Sequence, residues 1–284
     1  MVRALAILLL GLGACGGPSE ETLIDELRVV ASIPSTPEVA PGEAFGVQVT
    51  IADPSNGGFD ALTWMCTTVG PPGSPCLESQ RGNTAGWVSR VDAEGTAQDL
   101  VVDAAVGGLL MNETEEVRTT LWTLTCEPGE CSIISGAPGL TSRDSAWTNT
   151  LTELSDPTEA LKDRPLEGVS LARRSIVISN REPSSRNRHP RLLEAPSEPV
   201  SAAPNSSSML TIGASDEEQI SAFAYATLGG FGQPETAVEA ETVALEWFPG
   251  TESTEGQSAD LFVVFTDGRG GETVWTGQAE VGAP

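Results

Sequence analysis

The sequence predicts an all-β protein: two β-sandwich domains in tandem, with one short helix before the linker that joins them. Three observations carry this. Short runs of β-branched and aromatic residues recur between clusters of Gly, Pro, Asn and Asp, and the 284 residues include 30 glycines and 20 prolines. That punctuation belongs to strands and turns rather than to long helices. Two segments, Phe45–Ala52 and Glu116–Cys126, alternate apolar with polar residues as half-buried strands do. The 270 residues that follow the first 14 are a length that two ordinary domains fill.

Those first residues read MVRALAILLLGLGAC. Arg3 supplies a positive start, and Ala4–Leu12 is an apolar run of nine residues. A membrane-spanning helix needs about 20 apolar residues, so the run has the length of a cleaved signal and not of a span. Its end, Leu12-Gly13-Ala14-Cys15, resembles the lipobox of bacterial lipoproteins. The resemblance implies cleavage before Cys15 and lipidation of its thiol. Gly16, rather than aspartate, follows the cysteine, which by the same resemblance implies sorting to the outer membrane, with the acyl chains as the attachment. The expected organisation is a signal peptide over 1–14, a lipidated tether over 15–23, a first domain over 24–179, a basic linker over 180–191 and a second domain over 192–284.

Along the chain, Ile24–Ser32 reads as the first strand and Pro34–Gly42 as a proline-punctuated crossing. Phe45–Ala52 follows as a strand, then the turn cluster Asp53–Gly58. Ala61–Cys66 carries Trp64, and weaker strands are expected at Gly86–Val91 and Asp99–Val102. Glu116–Cys126 places Val117, Thr119, Leu121 and Thr123 on one face and Trp122 and Leu124 on the other. Ser155-Asp156-Pro157 caps the expected short helix over 158–162, and Leu166–Ser179 returns to an extended strand. In the second half, Glu198–Pro204 mirrors Pro37–Gly42 and Met209–Ala214 mirrors Phe45–Ala52. Val243–Phe248 mirrors Ala61–Cys66 through a shared central tryptophan. Leu261–Thr266 and Glu272–Val281 form a hairpin about Asp267–Gly271. A weak internal duplication accounts for the pattern.

The order of strand, PEVAPGE (37–43), alternating strand and Trp-bearing strand resembles immunoglobulin-like modules of bacterial surface lipoproteins. The ending LFVVFTDGRGGETVWTGQAEV (261–281) is similar to the last two strands of a PKD-like module. The resemblance implies immunoglobulin-like sandwiches and a non-enzymatic adhesion, spacer or assembly role, without the inter-sheet disulfide of antibody domains. Apart from Cys15, the cysteines are Cys66, Cys76, Cys126 and Cys131, an even set that in an exported chain reads as two disulfides with three connectivities open. If Ala61–Cys66 and Val117–Cys126 lie antiparallel, as the equivalent strands of such a sheet do, Cys66 and Cys126 fall at opposite ends. The local pairs Cys66–Cys76 and Cys126–Cys131 are then favoured.

The formal net charge is −25, and such a surface repels nucleic acid. Eight of the fifteen basic residues fall between 160 and 191, whereas fifteen acids face one base, Arg269, from 192 onward. The stretch reads as a basic linker packing between acidic domains, with a docking patch for an acidic partner as the alternative. His189, the one histidine, sits in Arg186-Asn187-Arg188-His189-Pro190, poor surroundings for a base. No cofactor motif or metal-ligand spacing is present. Asp53 with Asn56 and Asp60, and Asp267, are loop oxygens that a calcium ion would use, but the Asp/Asn density of a dedicated loop is missing. Of six tryptophans, Trp87 and Trp147 lie in polar surroundings and are the candidates for stacking on a glycan. The expected function is therefore a lipid-anchored envelope protein with a non-catalytic interaction or structural role, meeting an envelope protein or glycan. A glycan-binding module is the second reading and a hydrolase the third.

Overall fold

The computed structural model describes residues 20–65, 88–91, 94–102, 104, 110, 116–128 and 169–283. Its first half is built from β1 (Arg28–Pro34), β2 (Glu38–Val39), β3 (Ala44–Ala52), β4 (Asp60–Met65), β5 (Val88–Arg90), β6 (Thr96–Val101), β7 (Glu116–Cys126) and β8 (Val169–Ser179). One sheet has the order β1-β3-β6 and the other β2-β8-β7-β4-β5. In β3 the alternation buries Phe45, Val47 and Val49, and these meet Leu121, Ile176 and Ile178 of the facing sheet. β7 and β8 pair without a break from Glu116↔Ser179 to Cys126↔Val169. Between the sheets the Ser32 hydroxyl donates to Thr123 Oγ1 at 2.8 Å, and Thr123 Oγ1 lies 3.2 Å from Thr63 Oγ1, so these buried hydroxyls satisfy one another.

The second half contains β9 (Arg191–Leu192), β10 (Val200–Ala202), β11 (Ser208–Ser215), β12 (Ser221–Ala226), β13 (Gly230–Phe231), β14 (Glu235–Ala237), β15 (Thr242–Phe248), β16 (Ser258–Thr266) and β17 (Glu272–Val281). The sheets run β13-β15-β11-β9 and β10-β17-β16-β12-β14. Trp247, Phe231, Phe265, Leu210 and Ile212 fill the space between them, and the Trp247 indole N–H donates to the Leu228 carbonyl at 3.1 Å.

The two strand orders are the same. With β13 set aside as an added edge, β1-β3-β6 matches β9-β11-β15, and β2-β8-β7-β4-β5 matches β10-β17-β16-β12-β14. Even the short parallel pairs correspond, β2 with β8 and β10 with β17. This is the immunoglobulin arrangement, with strands B and E in one sheet and C, F and G in the other. It corrects one correspondence made from sequence. Val243–Phe248 is β15, the counterpart of β6, whereas Ala61–Met65 belongs to β4, whose counterpart is β12. A central tryptophan does not encode which sheet a strand joins.

β12 shows why it escaped notice. In Ser221–Ala226 the alanines 222, 224 and 226 face the core, leaving room for the large residues opposite, while Phe223 and Tyr225 point outward. There they join Phe262 and Val264 of β16 against Val30, Ala31 and Ile33 of β1 and Ala52 of β3. The two sandwiches thus share a third, smaller apolar cluster, and the Arg28 guanidinium sits 4.9 Å from the Tyr225 ring centre. Ile24 belongs to this cluster as well. The last residues of the expected tether over 15–23 are held against the second sandwich. Glu20–Thr22 form a 3-10 turn, Thr22 is fully buried, and Leu23 bridges Ala226. The expected strand over Ile24–Ser32 begins at Arg28 instead. The helix expected over 158–162 lies outside the described residues. The linker carries a 3-10 turn at Pro183–Ser185. Among the described residues no helix is long and apolar enough to cross a membrane.

Candidate functional site

The polar features of the described residues converge where the β16–β17 turn meets the linker and the first sandwich. The turn is self-supporting: Asp267 Oδ1 accepts the N–H groups of Arg269 at 2.7 Å and Gly271 at 2.9 Å. Its other oxygen accepts the Asn187 amide at 2.6 Å. The backbones approach closely. A Cβ on Gly271 would lie 2.6 Å from the Arg188 carbonyl, and one on Gly270, at φ +100°, 3.1 Å from the Ser175 carbonyl. Glycine is required at both.

Around this turn the arginines of the basic stretch meet carboxylates. Arg174 Nε lies 2.8 Å from Glu272 Oε1, and Arg186 lies 2.7 Å from Glu43. Arg181 is shared between Glu116 at 3.1 Å and Glu38 at 3.6 Å. Arg269 bridges Glu218 at 3.1 Å and Glu116 at 3.5 Å. Glu38 is fully buried; it accepts the Ser179 hydroxyl and the Asn187 N–H, the latter at 2.8 Å. The two glutamates of PEVAPGE therefore hold the linker, Glu38 through Arg181 and Asn187 and Glu43 through Arg186. Sequence reasoning missed them because a glutamate in a proline-rich crossing has no pattern that separates it from a solvated one.

His189 lies in this junction. Its Nδ1 accepts the Glu272 N–H at 3.1 Å, which places the proton of the neutral ring on Nε2, a buried atom. Burial lowers the imidazole pKa, against the Pro34 carbonyl and the Asp267 and Asp216 charges. Burial likewise raises Glu272, which Arg174 partly offsets. It raises Asp216 too, aided by Asp267 and Glu218. A serine-protease-like relay needs Nδ1 to donate to a carboxylate and Nε2 to face a nucleophile. Here Nδ1 accepts and Nε2 is enclosed, so this tautomer is the wrong one for that chemistry. An open groove runs past the ring, between the ends of β1 and β3 (Pro34, Phe45, Gln48) and Glu272–Thr273.

The other predicted sites fare differently. Cys15, Cys66, Cys76, Cys131, Trp87 and Trp147 lie outside the described residues. Cys126 ends β7, fully buried. Of the calcium candidates, Asp53 uses one oxygen on Ser55 N–H at 3.1 Å and the other on Gly58 N–H at 2.9 Å, closing its own turn about Asn56, at φ +53°. Asp267 is engaged as above, so the side-chain oxygens of Asp53 and Asp267 already accept N–H groups of their own surroundings. Among the described residues no three His, Cys, Asp or Glu side chains converge as a metal site.

No family model matches the chain, and no curated protein matches it. Similar solved structures include a chimeric titin Z1Z2 carrying a KLER exogenous peptide from decorin, at 12% identity and TM-score 0.26, covering 95% of this chain and 98% of that one. A mutated three-immunoglobulin-domain titin segment aligns at 9% identity and TM-score 0.24, covering 91% and 66%. Dimeric latent PorU from Porphyromonas gingivalis aligns at 8% identity and TM-score 0.24, covering 91% of this chain and 24% of that one. At such scores the likeness carries no argument, and the fold assignment rests on the strand orders given above.

Proposed function

We propose that this protein is a lipid-anchored component of a bacterial cell envelope, attached through Cys15, whose two sandwiches act as one non-catalytic interaction or structural body. The observation that carries the reading is the junction. Its charged side chains and its histidine are engaged in holding the sandwiches together rather than converging on a reaction centre. The lipobox-like Leu12–Cys15 supplies the anchor, and outer-membrane placement follows from Gly16 by resemblance alone. Two disulfides belong to the same reading, since an exported chain folds in an oxidising compartment. Cys126, buried at the end of β7, is one of the four cysteines this reading pairs. Register argues against Cys66 as its partner: Met65, one residue before Cys66, pairs with Leu121, about 17 Å along β7 from Cys126.

The test is the state of the N-terminus in cells. The expected result is a diacylglyceryl thioether on Cys15 in the N-terminal peptide, with the chain in the membrane fraction, and a Cys15→Ser variant that is unmodified and released. An unmodified Cys15 in the mature protein overturns the reading.

A further inference from the structure

The N-terminal segment is fastened to one end of the second sandwich, and that end can be identified. Thr22 Oγ1 donates to the Phe231 carbonyl at 3.3 Å and accepts the Phe231 N–H at 2.8 Å. The Ile24 N–H donates to the Ala226 carbonyl at 2.8 Å. Registers Ala226↔Leu261, Ser258↔Glu280 and Ser208↔Trp247 place the end of β12 with the start of β16, the end of β17, the start of β11 and the end of β15. The loops 203–207, 227–229 and 249–257 therefore form one pole, and the chain leaves from it. The opposite pole holds the loop after β11, with Glu217, and the β16–β17 turn of the junction.

From Cys15 to Glu20 the chain is five residues long, a reach of about 17 Å when extended. The nine residues of β16 separate the poles by about 30 Å. A lipid on Cys15 cannot let the two poles approach a bilayer equally while Thr22 and Ile24 stay fastened.

We infer that the pole formed by 203–207, 227–229 and 249–257 is the membrane-apposed surface, lying against lipid headgroups, and that the junction points away from the bilayer. This rests on the lipid-anchor reading. The surface suits apposition without insertion: the three loops hold two charges, Glu252 and Glu255, no lysine or arginine, and many hydroxyl and glycine residues. Attachment comes from the acyl chains and the short reach, not from attraction of the loops to anionic lipid. The partner-facing end is then the junction pole, where the basic residues of the linker and the open groove beside His189 lie.

The experiment uses the full lipidated chain on phosphatidylcholine vesicles containing a headgroup-labelled acceptor lipid. A donor dye is attached through an azido side chain at Thr254, or at Ser206 as a second site on the same pole, or at Glu217 on the other. All three positions are exposed. Flotation with the vesicles is read first, and a chain that does not float overturns the anchor reading. For the floating chain, the expected donor-to-bilayer separation from Thr254 and Ser206 is about 30 Å shorter than from Glu217. Equal separations, or a nearer Glu217, overturn the orientation while leaving the anchor intact. Thr22→Val removes both bonds to Phe231, and the expected result is that the separations converge. Unchanged separations in that variant overturn the role given to the stitch.

Discussion

Replacing Glu38 tests whether the linker is clamped as described. In Glu38→Ala the fully buried Ser179 hydroxyl and the half-buried Asn187 N–H, held at 2.8 Å in the parent, lose their acceptor. Each buried group left without a partner costs about 1–3 kcal/mol. Arg181 is part-exposed and keeps Glu116 at 3.1 Å, so its lost contact with Glu38 adds little. The expected loss is about 3 kcal/mol, which for a chain of this size lowers Tm by roughly 6–12 °C. Glu38→Gln sharpens the test. Its amide oxygen still accepts the Asn187 N–H and its NH2 can donate to Ser179 Oγ, so the expected loss is about half as large. Scanning calorimetry of both variants, with urea unfolding in parallel, reads the order directly. An alanine variant that melts within about 2 °C of the parent, or a glutamine variant as damaged as the alanine one, would refute the reasoning.

Gly271→Ala is expected to cost about 2 kcal/mol or more by overpacking, since its Cβ would lie 2.3 Å from Asp267 Oδ2 and 2.6 Å from the Arg188 carbonyl. Gly256→Ala, also in a turn but with open space around it, is expected to show only the backbone penalty of about 1 kcal/mol in the same thermal melts. The pH dependence should carry two opposed contributions. Burial lowers the His189 pKa, so as pH falls below about 6.5 the unfolded chain takes up a proton that the folded chain resists, and stability declines. Burial raises Glu272 and Asp216, so on further descent toward their ordinary range the folded chain binds protons first and stability recovers in part. With Arg174, Asp267 and Asp216 left in place around the ring, His189→Asn is expected to flatten the fall between pH 7.5 and 5.5 in melts of the two proteins. A parallel decline in both would show that the histidine does not contribute.

The strand read most directly from the sequence was β3, which has one wet face and alternates because it turns the other side to a core between sheets. β7 alternates apolar side chains with threonines although both its faces are covered from Thr119 to Cys126. The Asp267–Gly271 hairpin was equally plain, because its turn chemistry is local. What escaped was governed by the second face. β12 has alanine on its core side and aromatics on the outer side, so its pattern points the wrong way until the other sandwich is in place. The uninterrupted Leu261-Phe262-Val263-Val264-Phe265 run held the clue, since an apolar run without alternation means a strand covered on both faces. The clamp around Glu38 and Glu43 had no such signal. Its ion pairs, Arg181 with Glu38 and Arg186 with Glu43, join residues about 140 positions apart and depend on register alone.

The same geometry bears on how the two sandwiches move. A 12-residue polar linker between domains ordinarily permits them to reorient. Here the linker is itself part of the interface. Its Asn187 backbone N–H and the Arg181 and Arg186 guanidinium groups are bonded to the first sandwich, while the Asn187 side chain and His189 are bonded to the second. Hinge motion about this segment would separate Arg174 from Glu272 and Arg269 from Glu116 and strip Phe262 and Val264 from β1. Those contacts lie at both ends of β1, from Arg28 beside Tyr225 to Pro34 beside His189. No single pivot preserves one set while releasing the other. A partner meeting this protein therefore meets one body with a fixed pair of ends.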